Sequence, residues 1–375
     1  MRRIEFDSTN NEGNYATHGY FRYFGKLPPV VIRYILNKGI QNDKDGPIVD
    51  LMCGCGTSLV EAMIIGRPSI GVDVNPIAAL ISKVKTTFIE EDILRSELDG
   101  IKARLRLLSN NKASRLIPEF RNIDYWFDLE SQIELAELKY ATSKIEDTKC
   151  RNFFTVTFLS IIRRVSNASP RAGRIFHVQH ERPVSAKEAF FDKANEMITK
   201  MRELRRLAKC TDVDVLCDDA RHTTLAEDSA ALVIVHPPYF ALYKYSSDVL
   251  RFELEWLGVD RKRIATREVS DGFKTTDISV YYNYIEDVGR VLLEAARILK
   301  PRHQVCLIVN NSTFRDDRLP VVEDIHRHLS NHSPRLRLFD CLERGVRFQQ
   351  ASYHRSGRPD KITSQDYLVF FQKTV

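Results

Sequence analysis

The 375-residue sequence predicts an α/β fold with a mostly parallel sheet, and three observations support this. Within about 27 residues, from Pro47 to Asp73, an apolar strand, a glycine-rich turn, a helix and a second strand follow one another. That is a βαβ unit, whose crossover helix makes the two strands parallel. Further apolar runs of strand length return at 213–217, 231–235 and 304–309, whereas 87–208 carries helical periodicity throughout.

Taken in order, Pro47–Leu51 reads as a buried strand, Met52–Thr57 as the turn and Ser58–Ile65 as the helix. Gly66-Arg67-Pro68 stops that helix and Ser69–Asp73 forms the second strand. Helices are expected at Ile93–Leu108, Ser131–Thr142, Phe153–Val165 and Lys187–Leu207. Strands are expected at Val213–Cys217, Ala231–Val235 and Gln304–Val309, and the pair Leu336–Phe339 and Tyr367–Phe371 suits an antiparallel edge. The simplest organisation is a Rossmann-like domain interrupted after its second strand. Residues 1–86 supply an N-terminal arm and the first half of the domain, 87–208 a helical insertion, and 209–375 the second half.

Composition excludes several classes. No apolar run reaches the roughly 20 residues that span a bilayer, and Met1-Arg2-Arg3 is followed by no apolar stretch, so a cytosolic protein is expected. Seven scattered cysteines lack metal-ligand spacing, and reduced, packed thiols without disulfide or metal are expected. A net charge of +6 permits a polyanionic partner without requiring one.

Asp50-Leu51-Met52-Cys53-Gly54-Cys55-Gly56-Thr57-Ser58 places Gly-x-Gly between a strand and a helix N-terminus. A side chain at Gly54 or Gly56 would stand where a ligand approaches the backbone, and the helix end offers free N–H groups. The third glycine of the dinucleotide fingerprint is missing, Val60 and Glu61 standing near its place, which disfavours a nicotinamide cofactor. Asp73 closes the next strand, where a carboxylate accepts ribose hydroxyls or caps the helix after Asn75-Pro76.

From Asp50 to Ala62, and again over Gly71-Val72-Asp73-Val74-Asn75-Pro76-Ile77-Ala78, the chain resembles class I S-adenosylmethionine-dependent methyltransferases, specifically the DNA amino-methyltransferase branch. The resemblance implies S-adenosylmethionine at Asp50, Gly54, Gly56 and Thr57, with its ribose on Asp73. Cys217-Asp218-Asp219-Ala220-Arg221 is similar to the family segment that meets the adenine, which implies Asp219 and Ala220 there, with Asp218 as the alternative. Thr17–Pro28, rich in aromatics, resembles the family's N-terminal lid over the methionine end, with Phe24 and Lys26 as contacts; composition alone fits a packed surface arm equally.

His236-Pro237-Pro238-Tyr239 follows the apolar strand 231–235. Two prolines cannot extend a central strand; they make a rigid turn at its carboxyl end, where open α/β sheets bind ligands. Such a turn suits amino-group methylation, because the polar residue and a carbonyl of the proline segment accept hydrogen bonds from an NH2 while the tyrosine offers a flat face. The family pattern has Asp, Asn or Ser where this chain has His236. A neutral imidazole still accepts one hydrogen bond and has a site for a proton. The stretch 240–258 resembles the one after the Ser-Pro-Pro-Tyr motif of cytosine-N4 enzymes, which favours cytosine N4 over adenine N6. Tyr243 and Tyr245 suit the wall of a base pocket, and surface tyrosines packed over a helix fit them equally.

Residues 151–183 hold six arginines against the single acid Glu181. Arg163, Arg164, Arg171 and Arg174 are the expected phosphate contacts, a solvated basic face being the bland alternative. DNA is the expected partner. An RNA base methyltransferase and a catalytically weak nucleic-acid-binding regulator remain alternatives, the latter because of His236.

Overall fold

The computed structural model describes residues 2–6, 12–40, 46–108, 114–169, 175–178, 184–240, 245–269, 277–314, 317–332, 335–347 and 362–374. Its strands are β1 (Arg2–Ile4), β2 (Ile48–Asp50), β3 (Ser69–Val72), β4 (Val213–Leu216), β5 (Ala230–Val235), β6 (Leu299–Asn310), β7 (Ser312–Phe314), β8 (Asp317–Leu319), β9 (Leu336–Arg347) and β10 (Ile362–Lys373). All but the β7–β8 hairpin join one sheet in the order β1-β9-β10-β6-β5-β2-β3-β4. From β4 through β6 every pairing is parallel, and β10 runs antiparallel between β6 and β9. The chain winds outward from β2 to β4, then returns to β5 on the other side of β2. This is the Rossmann-like arrangement expected, and it opens a crevice at the carboxyl ends of β2 and β5.

The longer helices are α1 (Pro29–Gly39), α2 (Thr57–Ile65), α3 (Pro76–Thr86), α4 (Glu91–Leu107), α5 (Leu129–Ser143), α6 (Thr148–Ile162), α7 (Ala186–Leu207), α8 (Arg251–Leu257), α9 (Ser279–Ile298) and α10 (Val321–His332). Their starts follow local chemistry: Asn75, Asp128, Asp147 and Ser185 each accept a backbone N–H of the first turn they cap. On one face of the sheet, Ile32, Ile35 and Leu36 of α1 cover Ile234, Ile308, Leu368 and Phe370. On the other, Val288 and Leu292 of α9 with Ile325 and Leu329 of α10 cover Val233, Val305, Leu307 and Phe371. No helix among the described residues is long and apolar enough to cross a membrane.

The helices between β3 and β4 build a further core from Leu98, Ile101, Leu135, Phe153, Phe154, Phe158 and Phe190. The same core takes in Tyr20, Phe21 and Phe24 from the arm, and Phe252 and Trp256 of α8. Packing therefore crosses the boundaries at 86/87 and 208/209. The arm is fastened at both ends: Tyr20 donates its hydroxyl proton to the Met197 carbonyl at 2.7 Å, while the buried Glu61 of α2 receives Tyr15, His18 and Arg33.

Candidate active site

β2 ends at Asp50, and the chain turns through residues 51–56 into α2. Gly54 has φ +51°, and a Cβ there would stand 3.2 Å from the Tyr23 ring. Any larger residue strains the backbone and meets the roof of the cavity. Gly56, at φ +72°, is needed for a different reason from the one expected. Its missing Cβ would lie 2.7 Å from Ser82 Oγ, so it lets α3 pack against the turn and does not line the cavity. Ser82 Oγ donates to the Gly54 carbonyl at 2.9 Å, and the buried Lys85 ammonium to the Cys55 carbonyl at 2.6 Å. Burial first of all lowers that lysine to about 8.

Three carboxylates end the strands around this turn. Asp50 accepts the Met52 N–H at 3.1 Å and the Ser58 hydroxyl. Asp73 accepts the Gly54 N–H at 2.9 Å and the Asn75 N–H at 2.8 Å, so it ties β3 to the glycine turn as well as starting α3. Burial raises both from 3.8 to about 6, against the hydrogen bonds that favour their charge. Asp219 is forked by Arg221, with Nε on Oδ1 at 2.9 Å and Nη2 on Oδ2 at 2.7 Å. Burial works to raise Asp219, but the fork outweighs it and holds the carboxyl below its usual range. Asp219 and Ala220 line the cavity; Asp218 does not.

The same cavity reaches His236, Pro237, Pro238 and Tyr239 past the end of β5. His236 Nε2 stands 3.3 Å from the Tyr239 hydroxyl, with the rings edge to face at 5.4 Å. Desolvation, with a smaller contribution from Arg344, lowers His236 to about 3. The imidazole is thus neutral at physiological pH. It serves as a hydrogen-bond partner, and the proton-accepting role that remained open from the sequence is disfavoured.

Tyr23 and Tyr245 stack over the cavity at 5.4 Å and 22°, and Tyr245 donates to the Phe24 carbonyl at 3.0 Å. Lys26 and Thr57 line the cavity. Phe24 does not. It turns into the insertion's core between the guanidinium groups of Arg22 and Arg163, at 5.0 and 5.1 Å, and its neighbour Tyr23 takes the place facing the cavity. Arg163 is likewise withdrawn: it is buried on Phe24 and donates to the Ser169 carbonyl at 3.2 Å, which removes it from phosphate contact. Arg164 is exposed. Arg151, at the other end of α6, bonds the carbonyls of Ile145 and Glu146. Tyr243, Arg171 and Arg174 lie outside the described residues. Sequence reasoning missed Tyr23, Arg267 and Glu268 as lining residues; Glu268 holds the start of 245–249 by accepting the Ser246 N–H and hydroxyl at 3.0 and 2.9 Å.

No family model matches the chain. It is 28% identical over 186 residues to the type II methyltransferase M.MvaI of Kocuria varians, a match covering 48% of this chain and 40% of that protein. It is 21% identical to the type II methyltransferase M.MjaII of Methanocaldococcus jannaschii, covering 85% of this chain and 77% of the relative. Among solved structures, an S-adenosylmethionine-dependent methyltransferase from Methanosarcina mazei aligns over 91% of this chain and 97% of its own at 10% identity, with a TM-score of 0.36. The chain thus carries a Rossmann-like domain whose sequence is similar to type II methyltransferases, and its match to M.MvaI spans less than half of that relative.

Proposed function

We propose that the protein is an S-adenosylmethionine-dependent DNA methyltransferase acting on an exocyclic amino group, cytosine N4 ahead of adenine N6. The observation that carries this reading is a single cavity. The glycine turn with its three carboxylates forms one end, and the His-Pro-Pro-Tyr turn forms the other.

The residues fit the cofactor on the structure's own terms. Gly54 leaves open a space that a Cβ would reduce, and Asp50 and Asp73 are poised near 6, where a cationic ligand draws them into the charged form. Asp50 suits the amino group and Asp73 the ribose hydroxyls, for which its lone pairs beyond the two backbone N–H bonds remain. Asp219 and Ala220 border the adenine, while Tyr23, Lys26 and Tyr245 close the roof and exclude water. The bound cofactor supplies an electrophilic methyl carbon. The chain positions the acceptor: neutral His236 and a carbonyl of the rigid Pro237-Pro238 segment receive the two N–H bonds of the amine, which turns the nitrogen lone pair toward the methyl end. A base inside a duplex reaches this depth only by being flipped out of the stack.

DNA lies across the insertion side in this reading. Arg164 is exposed there, and the Tyr125 ring lies tilted by 33° against His177 at 4.3 Å with half of its surface open. The helical segment 87–208, with its flanking residues, forms the face toward the duplex. The test is label transfer from methyl-tritiated S-adenosylmethionine into duplex DNA and into RNA, followed by nucleoside analysis. N4-methylcytosine in DNA is expected. Label confined to RNA, or cofactor binding without transfer to either, contradicts the reading.

A further inference from the structure

The sheet face beneath α1 is apolar along Ile234, Ile308, Leu368 and Leu342 of β5, β6, β10 and β9. One step further on the same face, by the alternation of strand side chains, stand His236, Asn310, Asp366 and Arg344. Because β10 runs antiparallel between its neighbours, Asp366 lies opposite Asn310 on one side and Arg344 on the other. Arg344 Nη2 is 3.2 Å from Asp366 Oδ2, and both residues are buried. The Tyr239 hydroxyl faces the Asp366 carboxylate and stands 3.3 Å from His236 Nε2. A line of polar groups therefore runs from a buried charge to the wall of the cavity.

This pair is poorly suited to stabilising the fold. Desolvating two charges cancels most of their attraction, and among the described residues Arg344 Nη1 and Asp366 Oδ1 are buried with no hydrogen-bond partner. An O–H donor turned toward Oδ1 relieves that oxygen.

We propose that Asp366, paired with Arg344, is a positioning residue that sets which ring nitrogen of His236 is left bare to receive the substrate amine. Burial raises the Asp366 carboxyl above its usual range, while Arg344 and the Tyr239 hydroxyl favour its charge. The inference rests on the reading of His236 as amine acceptor. Tyr239 is held protonated by burial and by the facing carboxylate. With its proton directed at Asp366, its lone pairs accept the Nε2–H of His236. A neutral imidazole has one N–H, so Nδ1 is then a bare sp2 acceptor. Among the described residues Nδ1 has no protein partner. Without the Asp366 charge, the Tyr239 proton turns to Nε2, the imidazole proton moves to Nδ1, and the site offers a donor to an amine that is also donating. Histidine can thereby stand where the resembled motif has an oxygen acceptor.

The test uses the cofactor-loaded protein with duplex DNA. Asp366→Asn is expected to lower kcat about tenfold while KM for DNA and cofactor Kd stay within about twofold. In the His236→Asn background, where a carboxamide needs no tautomer, the same substitution should change kcat by less than about twofold. The volume-matched Arg344→Met/Asp366→Leu pair, which buries no charge, should reproduce the loss if the single variant folds poorly. Nitrogen-15 shifts of the wild-type imidazole should show Nε2–H and bare Nδ1, and Asp366→Asn should shift the proton toward Nδ1. Equal losses in both backgrounds, unchanged kcat in Asp366→Asn, or Nδ1–H in the wild type overturns the proposal. If instead no His236 substitution alters transfer while the wild-type imidazole is still Nε2–H, the tautomer control stands and the underlying reading of the site, with this role in it, falls.

Discussion

β2, β3 and β4 end around one side of the crevice in Asp50, Asp73 and Asp219, two of them raised to about 6 and the third held low by Arg221. β5 leads on the other side to a histidine lowered to about 3 beside a half-buried, protonated tyrosine. Burial acts on both sides, but it acts on acids in one half and on a base in the other. It therefore produces an end that gains charge when a cation arrives and an end that stays neutral. On the proposed reading, the difference teaches how one cavity would hold a charged donor and an uncharged planar acceptor without confusing their places: electrostatics would select at the first end, hydrogen-bond geometry at the second.

The largest expected effect separates the ends by shape. Gly54→Val places a branched side chain at φ +51° against Tyr23, and should weaken cofactor binding more than about 100-fold in calorimetry. Next, His236→Ala should lower kcat about 100-fold and leave cofactor Kd within about twofold. Weakened cofactor binding in that variant would merge the two ends into one. Asp50→Asn should weaken the cofactor about tenfold with the fold intact, because the carboxamide still accepts from Met52 and Ser58.

The pH dependence sharpens the contrast. Asp50 and Asp73 have folded values raised above 3.8, so in the free protein their contribution to stability is present at low pH and lost as pH rises through about 6. If they hold the cofactor as proposed, its binding needs them charged and should run the other way, its affinity falling as pH drops through 6. Thermal melts with and without cofactor between pH 5 and 8 check both signs. The smallest effect is at the surface: Arg164→Ala should raise KM for DNA about two- to threefold, more at low salt, with kcat unchanged.

Much of this was legible in the sequence because it is local. An apolar strand, a glycine turn and a helix are contiguous, and so is a proline turn after a strand; the crossovers they imply make the strands parallel. What the sequence does not reveal is which side of an element faces where. Tyr20-Phe21-Arg22-Tyr23-Phe24 has no period that picks out Tyr23 for the cavity; the docking of Tyr20 on Met197 and of Tyr15 and His18 on Glu61 decides it. The arginine run counts charge but not direction, and α6 with the turn after it sends Arg163 inward and Arg164 outward. At Gly56 the sequence suggests room for a ligand, whereas in the fold the missing Cβ makes room for Ser82 of α3. Asp366 and Arg344 are far from His236 along the chain, and only the antiparallel register of β10 places them behind it. The flanking helices α1, α9 and α10 carry no motif and no expectation from the sequence.

The most direct measurement is cofactor Kd and methyl transfer to duplex DNA, determined together for Asp73→Ala and His236→Ala. Asp73→Ala should lose binding, and transfer with it. His236→Ala should bind S-adenosylmethionine as the wild type does and transfer its methyl group about 100-fold more slowly. Undiminished binding in Asp73→Ala, or undiminished transfer in His236→Ala, would contradict the division of the cavity into a donor end and an acceptor end.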